Sequence, residues 1–117
     1  MSPARDMRKG STTVLILSLV AERPMYGYQI AKELERRSEG YFDFKEGTLY
    51  PALHRMEKEG LLRGEWQVVA EGPSRKYYHI TDKGKRALVD VAVEWTTFSR
   101  KILAMLKSVQ GVKPGTM

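Results

Sequence analysis

The stretch from Glu46 to Leu62, Glu-Gly-Thr-Leu-Tyr-Pro-Ala-Leu-His-Arg-Met-Glu-Lys-Glu-Gly-Leu-Leu, constrains this chain more than any other. Leu49, Ala52, Leu53 and Met56 recur at helical spacing, which commits one face of a short helix to a core. Pro51, His54 and Lys58 fall on the opposite face, with Thr48 and Arg55 on one flank and Tyr50 on the other. Pro51 has no N–H to donate, so the pattern expects it in the first turn. Thr48 is then the N-cap, or the helix starts one turn earlier. Gly60 suits the left-handed residue that ends such a helix. From Leu62 the period changes to two. Leu62, Trp66 and Val68 alternate with Arg63, Glu65 and Gln67, as in a half-buried strand with the first set facing in.

Residues 1–11 are polar and basic and are expected to form a flexible arm. The apolar residues that follow, among them Val14, Leu15 and Leu17, suit helix or strand. Helix is favoured because Glu22-Arg-Pro24 stops it and the next segment is helical. Pro24-Met-Tyr-Gly27 reads as a tight turn, and Ile30, Ala31 and Leu34 form the apolar stripe of a second helix over Tyr28 to Arg37. Gly40-Tyr-Phe-Asp-Phe44 is an aromatic loop whose rings pack at the core edge. Ala70-Glu-Gly-Pro-Ser74 is a turn, and Arg75 to Ile80 is the return strand with Tyr78 and Ile80 inward. Thr81 or Asp82 caps a last helix running to about Val109. Three helices, a hairpin and a helix make a mainly α (α+β) chain: a winged helix-turn-helix over 12–80, a C-terminal dimerisation helix over 81–109 and a disordered tail over 110–117.

In the last helix Leu88, Val91, Trp95, Phe98, Ile102, Met105 and Val109 are spaced three, four, three, four, three and four. That repeat is the seam of a coiled coil. A helix of this length is a rod of about 40 Å, longer than so small a core is wide. A projecting apolar rod needs a cover, and a second copy of the chain is the simplest one. The alternative is a helix packed on its own domain.

The 117 residues carry a net charge of +6 and a pI near 9.7, which points to a polyanionic partner, and double-stranded DNA suits the helix-and-wing arrangement. Cysteine is absent, so disulfides and cysteine metal sites are excluded, in keeping with a reducing cytoplasm. Arg5, Arg8 and Lys9 before the apolar run imitate a signal peptide. Cleavage after Ala21 would remove a helix that the rest needs, and Asp6 weakens the basic region. No apolar run approaches the ~20 residues of a membrane span. The two histidines, His54 and His79, sit in no catalytic or metal-binding motif. The chain is therefore expected not to be an enzyme and to need no cofactor or metal.

Tyr26-Gly-Tyr-Gln-Ile30, Gly47-Thr-Leu-Tyr-Pro-Ala-Leu-His-Arg55, Glu57-Lys-Glu-Gly-Leu-Leu62 and Arg75-Lys-Tyr-Tyr-His-Ile-Thr-Asp-Lys-Gly84, taken together, resemble the PadR family of bacterial transcriptional regulators. The resemblance spans about residues 12–108 and implies the short form of the family, a homodimeric winged-helix repressor with one dimerisation helix. It also implies that aromatic residues at the dimer interface, here Trp95 and Phe98, are candidates to bind a small aromatic or hydrophobic effector. As an alternative, those rings only fill a coiled-coil core.

On this reading two copies place their Thr48–Gly60 helices in successive major grooves of a palindromic operator. His54 and Arg55 are the candidate base readers. Thr48, Tyr50 and Lys58 are candidate phosphate ligands. Ser74, Arg75 and Lys76 at the wing tip would meet phosphate or the minor groove. For His54 and Lys58 the plain alternative is a solvated helix face. The rival reading for the whole chain is a winged-helix module that binds protein instead of DNA.

Overall fold

The computed structural model describes residues 3–68 and 70–109, with side chains described from residue 11 onward. Its elements are α1 (Pro3–Val20), β1 (Met25–Tyr26), α2 (Gly27–Arg37), α3 (Glu46–Lys58), β2 (Leu62–Gln67), β3 (Arg75–Ile80) and α4 (Asp82–Leu106). The expected winged helix-turn-helix is present, with three departures from the sequence reading before the wing. The tail expected over 110–117 lies outside the described residues.

Helix α1 starts at Pro3 and not at residue 12, so most of the expected arm is helical. Proline is well suited to a first helical position, because its missing N–H has no partner there anyway. Ala4, Arg5, Met7, Arg8 and Lys9 are strong helix formers that extend a helix already nucleated by its packed half. Within that half Ile16, Leu17, Leu19 and Val20 are buried. The spacing is helical, which resolves the choice between helix and strand.

The second departure is β1. Met25 and Tyr26, read as part of a turn, pair with Tyr78 and Tyr77 of β3 and make a three-stranded antiparallel sheet in the order β1-β3-β2. A two-residue strand shows no period of its own; its partner defines it.

The third departure is at Pro51: α3 takes the earlier of its two expected starts, at Glu46 after an N-cap at Lys45, so Thr48 is inside the helix and Pro51 is no longer in the first turn. Pro51 therefore sits in the second turn and leaves the Gly47 carbonyl without its usual intrahelical donor. Burial of Leu49, Ala52, Leu53 and Met56 offsets that loss.

The core joins these four residues to those of α1, to Met25, to Ile30 and Leu34 of α2, to Leu62 of β2 and to Tyr78 of β3. Phe42 and Phe44 of the aromatic loop pack at its edge, as expected. The Thr81 hydroxyl caps α4 by accepting from the Gly84 N–H at 3.0 Å, and it donates to the Gly60 carbonyl at 2.6 Å. This joins the exit of α3 to the entry of α4.

In the hairpin, Leu62 faces Ile80, Gly64 faces Tyr78 and Trp66 faces Lys76. Leu62 is buried as expected, but Trp66 is 65% exposed and Val68 87% exposed. The alternation is real. Past Gly64, however, the hairpin projects beyond the core, so Trp66 and Val68 stay largely in solvent.

Candidate nucleic-acid interface

The exit of α3 sets its orientation. The Gly60 N–H donates to the Glu57 carbonyl at 3.0 Å and the Leu61 N–H to the Met56 carbonyl at 2.9 Å, the paired bonds of a Schellman ending. Gly60 has a φ of 82°, a conformation that suits glycine, and it turns the chain straight into β2. Helix and wing are thereby set side by side, as the Glu46–Leu62 pattern implied.

With its apolar face inward, α3 leaves Thr48, Pro51, His54, Arg55 and Lys58 exposed. The sequence-selected side chains nevertheless have different surroundings. Among the described residues, His54 and Lys58 make no side-chain hydrogen bond or ion pair. Arg55 is engaged: its guanidinium donates to the Thr13 hydroxyl of α1 at 3.1 Å and to Glu59 at 3.3 Å. Tyr50 is 45% exposed, yet its ring lies so close over Gly27 that a methyl group there would meet it at 2.7 Å. It packs α3 against the start of α2, a role its sequence position did not reveal.

On the wing, Ser74 and Arg75 are exposed, and Gly72 turns the tip with a φ of 102°. The Arg75 guanidinium stacks 4.7 Å from the centroid of the Tyr26 ring, which meets Tyr77 edge-on at 5.3 Å. Lys76 departs from expectation. It lies on the inward face and its ammonium donates to Glu57 of α3 at 2.7 Å. Gly64 makes room for this pair, since a β-carbon there would overlap the Lys76 side chain. The Glu57 hydrogen bond raises the Lys76 pKa above its ordinary value. Burial raises that of neighbouring Tyr78. The pair braces the wing against α3. No local pattern in the sequence reveals this role of Glu57, because its partner lies 19 residues away.

The seam on α4 is partly covered at one end only. Leu88, Val91 and Trp95 are half-buried, whereas Phe98 is 51% exposed, Ile102 41% and Met105 74%. Val109 is also exposed and lies past the helix, which ends at Leu106 where the sequence reading continued it. The chain turns there: the Ser108 hydroxyl donates to the Met105 carbonyl at 2.9 Å. Trp95 and Phe98 meet edge-on with centroids 6.0 Å apart. Trp95 lines an open groove with Thr96, Ser99, Arg100 and Leu103. Among the described residues no cluster of histidine and acidic side chains could hold a metal, and no helix is long and apolar enough to cross a membrane.

Residues 16–90 match the model of the transcriptional regulator PadR-like family. A transcriptional regulator from Mycobacterium tuberculosis is 32% identical over 99 residues, covering 85% of this chain and 89% of its own. Among solved structures, a transcriptional regulator from Clostridium thermocellum superposes with a TM-score of 0.78 at 31% identity, over 94% of this chain and 99% of that one. A PadR-like transcriptional regulator from Bacillus cereus gives 0.76 at 36% identity, over 92% and 99%.

Proposed function

Because the chain belongs to the PadR-like family of transcriptional regulators, and so is a regulator and not an enzyme, we propose that it is a cytoplasmic homodimeric repressor. Two copies of α3 would enter successive major grooves of a palindromic operator. The observation that carries this is α3 itself. One face is fixed in the core by Leu49, Ala52, Leu53 and Met56, while His54 and Lys58 stand unengaged on the other, beside a braced wing.

His54 reads a base edge and Lys58 meets phosphate, as does Thr48. Arg55 joins them by exchanging Thr13 and Glu59 for a guanine edge, and Ser74 and Arg75 extend the contact at the wing. Tyr50 and Lys76 act mainly as braces that hold this surface in shape. Dimerisation uses the uncovered stripe from Leu88 through Val91, Trp95, Phe98, Ile102 and Met105 to Val109. A small aromatic or hydrophobic effector, bound against Trp95 and Phe98 between the two copies, releases DNA by favouring another setting of the two α3 helices.

The test is selection of bound duplexes from a random pool at moderate salt. The expected result is an enriched palindrome with half-sites about one helical turn, roughly 34 Å, apart, and an affinity that falls steeply with added salt. No enrichment by a folded dimer would overturn the reading in favour of a protein-binding module.

A further inference from the structure

Trp66 has a position that neither packing nor charge explains. Along the inward face of β2, Leu62 is 2% exposed, Gly64 is half-buried and Trp66 is 65% exposed. The largest side chain of the strand thus stands where the sheet leaves the core, followed by Val68 at 87%. An indole in water forgoes the gain of burial, so its placement invites a partner that covers it.

The setting is rigid. Trp66 faces Lys76 across the antiparallel ladder, and Lys76 is tied to Glu57 of α3 at 2.7 Å. The strand segment that carries the indole is therefore held at a fixed offset from the exposed face of α3, where His54 lies one turn before Glu57. Holding it there in advance reduces the ordering cost of binding. Lys76, opposite the indole, is neutralised by its own partner, so the indole does not stand beside a free ammonium. Arg75 and Ser74 of the same hairpin are exposed and polar.

We propose that Trp66, with Val68 beside it, is an apolar contact to duplex DNA. The indole packs on the deoxyribose edge of the minor groove next to the major groove entered by α3, and its ring N–H faces the phosphate. Lys58 of α3 and Arg75 of the wing supply attraction that depends on salt; the indole supplies a contact that does not. This rests on the DNA-binding reading above.

The experiment measures binding of the selected operator duplex by the parent, Trp66→Ala and Trp66→Phe across a salt series. Melting and sedimentation check that each variant is folded and associated like the parent. The expected result is a roughly ten-fold weaker Trp66→Ala, the size of one buried large apolar side chain, at an unchanged salt slope. Trp66→Phe should fall between the two. Parent emission should change on operator binding by more than that of Trp66→Phe, which keeps only Trp95. Parent-like affinity in Trp66→Ala would overturn the proposal and leave the indole to a protein partner. A loss accompanied by a shallower salt slope would also overturn it, by tracing the effect to displaced Lys76. A parent that binds no duplex would overturn the DNA-binding reading itself, a separate result.

Discussion

Arg55 and Lys76 are both basic, both near the proposed DNA surface, and both already engaged by protein. A guanidinium held by Thr13 and Glu59 must give up those bonds to read a base, whereas His54 gives up nothing but water. Residue identity announced the chemistry of these groups; partners 42 and 19 residues away decided their roles. Glu39 shows a residue-scale cost outside the interface. It is the left-handed residue ending α2, with a φ of 54°, and the Gly40 N–H donates to the Glu35 carbonyl at 2.7 Å. A side chain in that conformation costs about 1 kcal/mol. Glycine removes the strain but loosens the unfolded chain by part of that amount. Glu39→Gly is therefore expected to stabilise by about 0.5 kcal/mol and to raise the melting temperature by about 2–4 °C. A thermal melt checks it.

At the scale of elements, α3 and the wing behave as one unit because Gly60 sets the turn between them and the Lys76–Glu57 pair spans them. The helix was legible in the sequence because four apolar side chains at helical spacing have only one way to share a core. The wing strands were legible for the same reason at period two. Strand β1 was not, since two residues carry no period. The brace gives a pH signature. Lys76 and Tyr78 both hold their protons more tightly in the folded protein than in the unfolded chain. Their contribution is complete below the unfolded pKa values and is lost as pH rises past about 10. Urea unfolding between pH 8 and 11 should therefore show stability falling above about pH 10. Glu57→Gln, which removes the cause of the Lys76 shift, should make that fall shallower. An identical fall in the variant would mean that the pair does not brace the folded state.

The whole molecule measures 57 Å along its longest axis against 27 Å across, and α4 spans 25 residues. A helix of that length, packed on its own domain mainly at its first half, leaves Phe98, Ile102 and Met105 to solvent. An isolated chain would bear this apolar stripe at a cost that a second copy removes. On the homodimer proposal, Ile102→Glu places a charge in the seam. Ile102 is outside the core of the single chain, so the fold should survive. The expected effect is 2 kcal/mol or more on association, a dimer Kd weakened by ~30-fold or more. Sedimentation at micromolar concentration reads it directly. A variant as dimeric as the parent would place the interface elsewhere.

Periodicity is a property of the chain. Leu49 through Met56, the alternation from Leu62 and the heptads from Leu88 each commit a face before any partner is known. The sequence by itself therefore determined the helices and the two wing strands of the winged helix-turn-helix and the long helix after it, while β1 waited on its partner strand. Contact is a property of the fold. That Tyr50 rests on Gly27, that Arg55 reaches α1, that Lys76 is held by Glu57 and that Trp66 stands clear of the core depend on distances between segments far apart in the chain. No local pattern encodes those distances, so only the tertiary structure decided which of the basic and aromatic side chains brace the surface and which are free to bind.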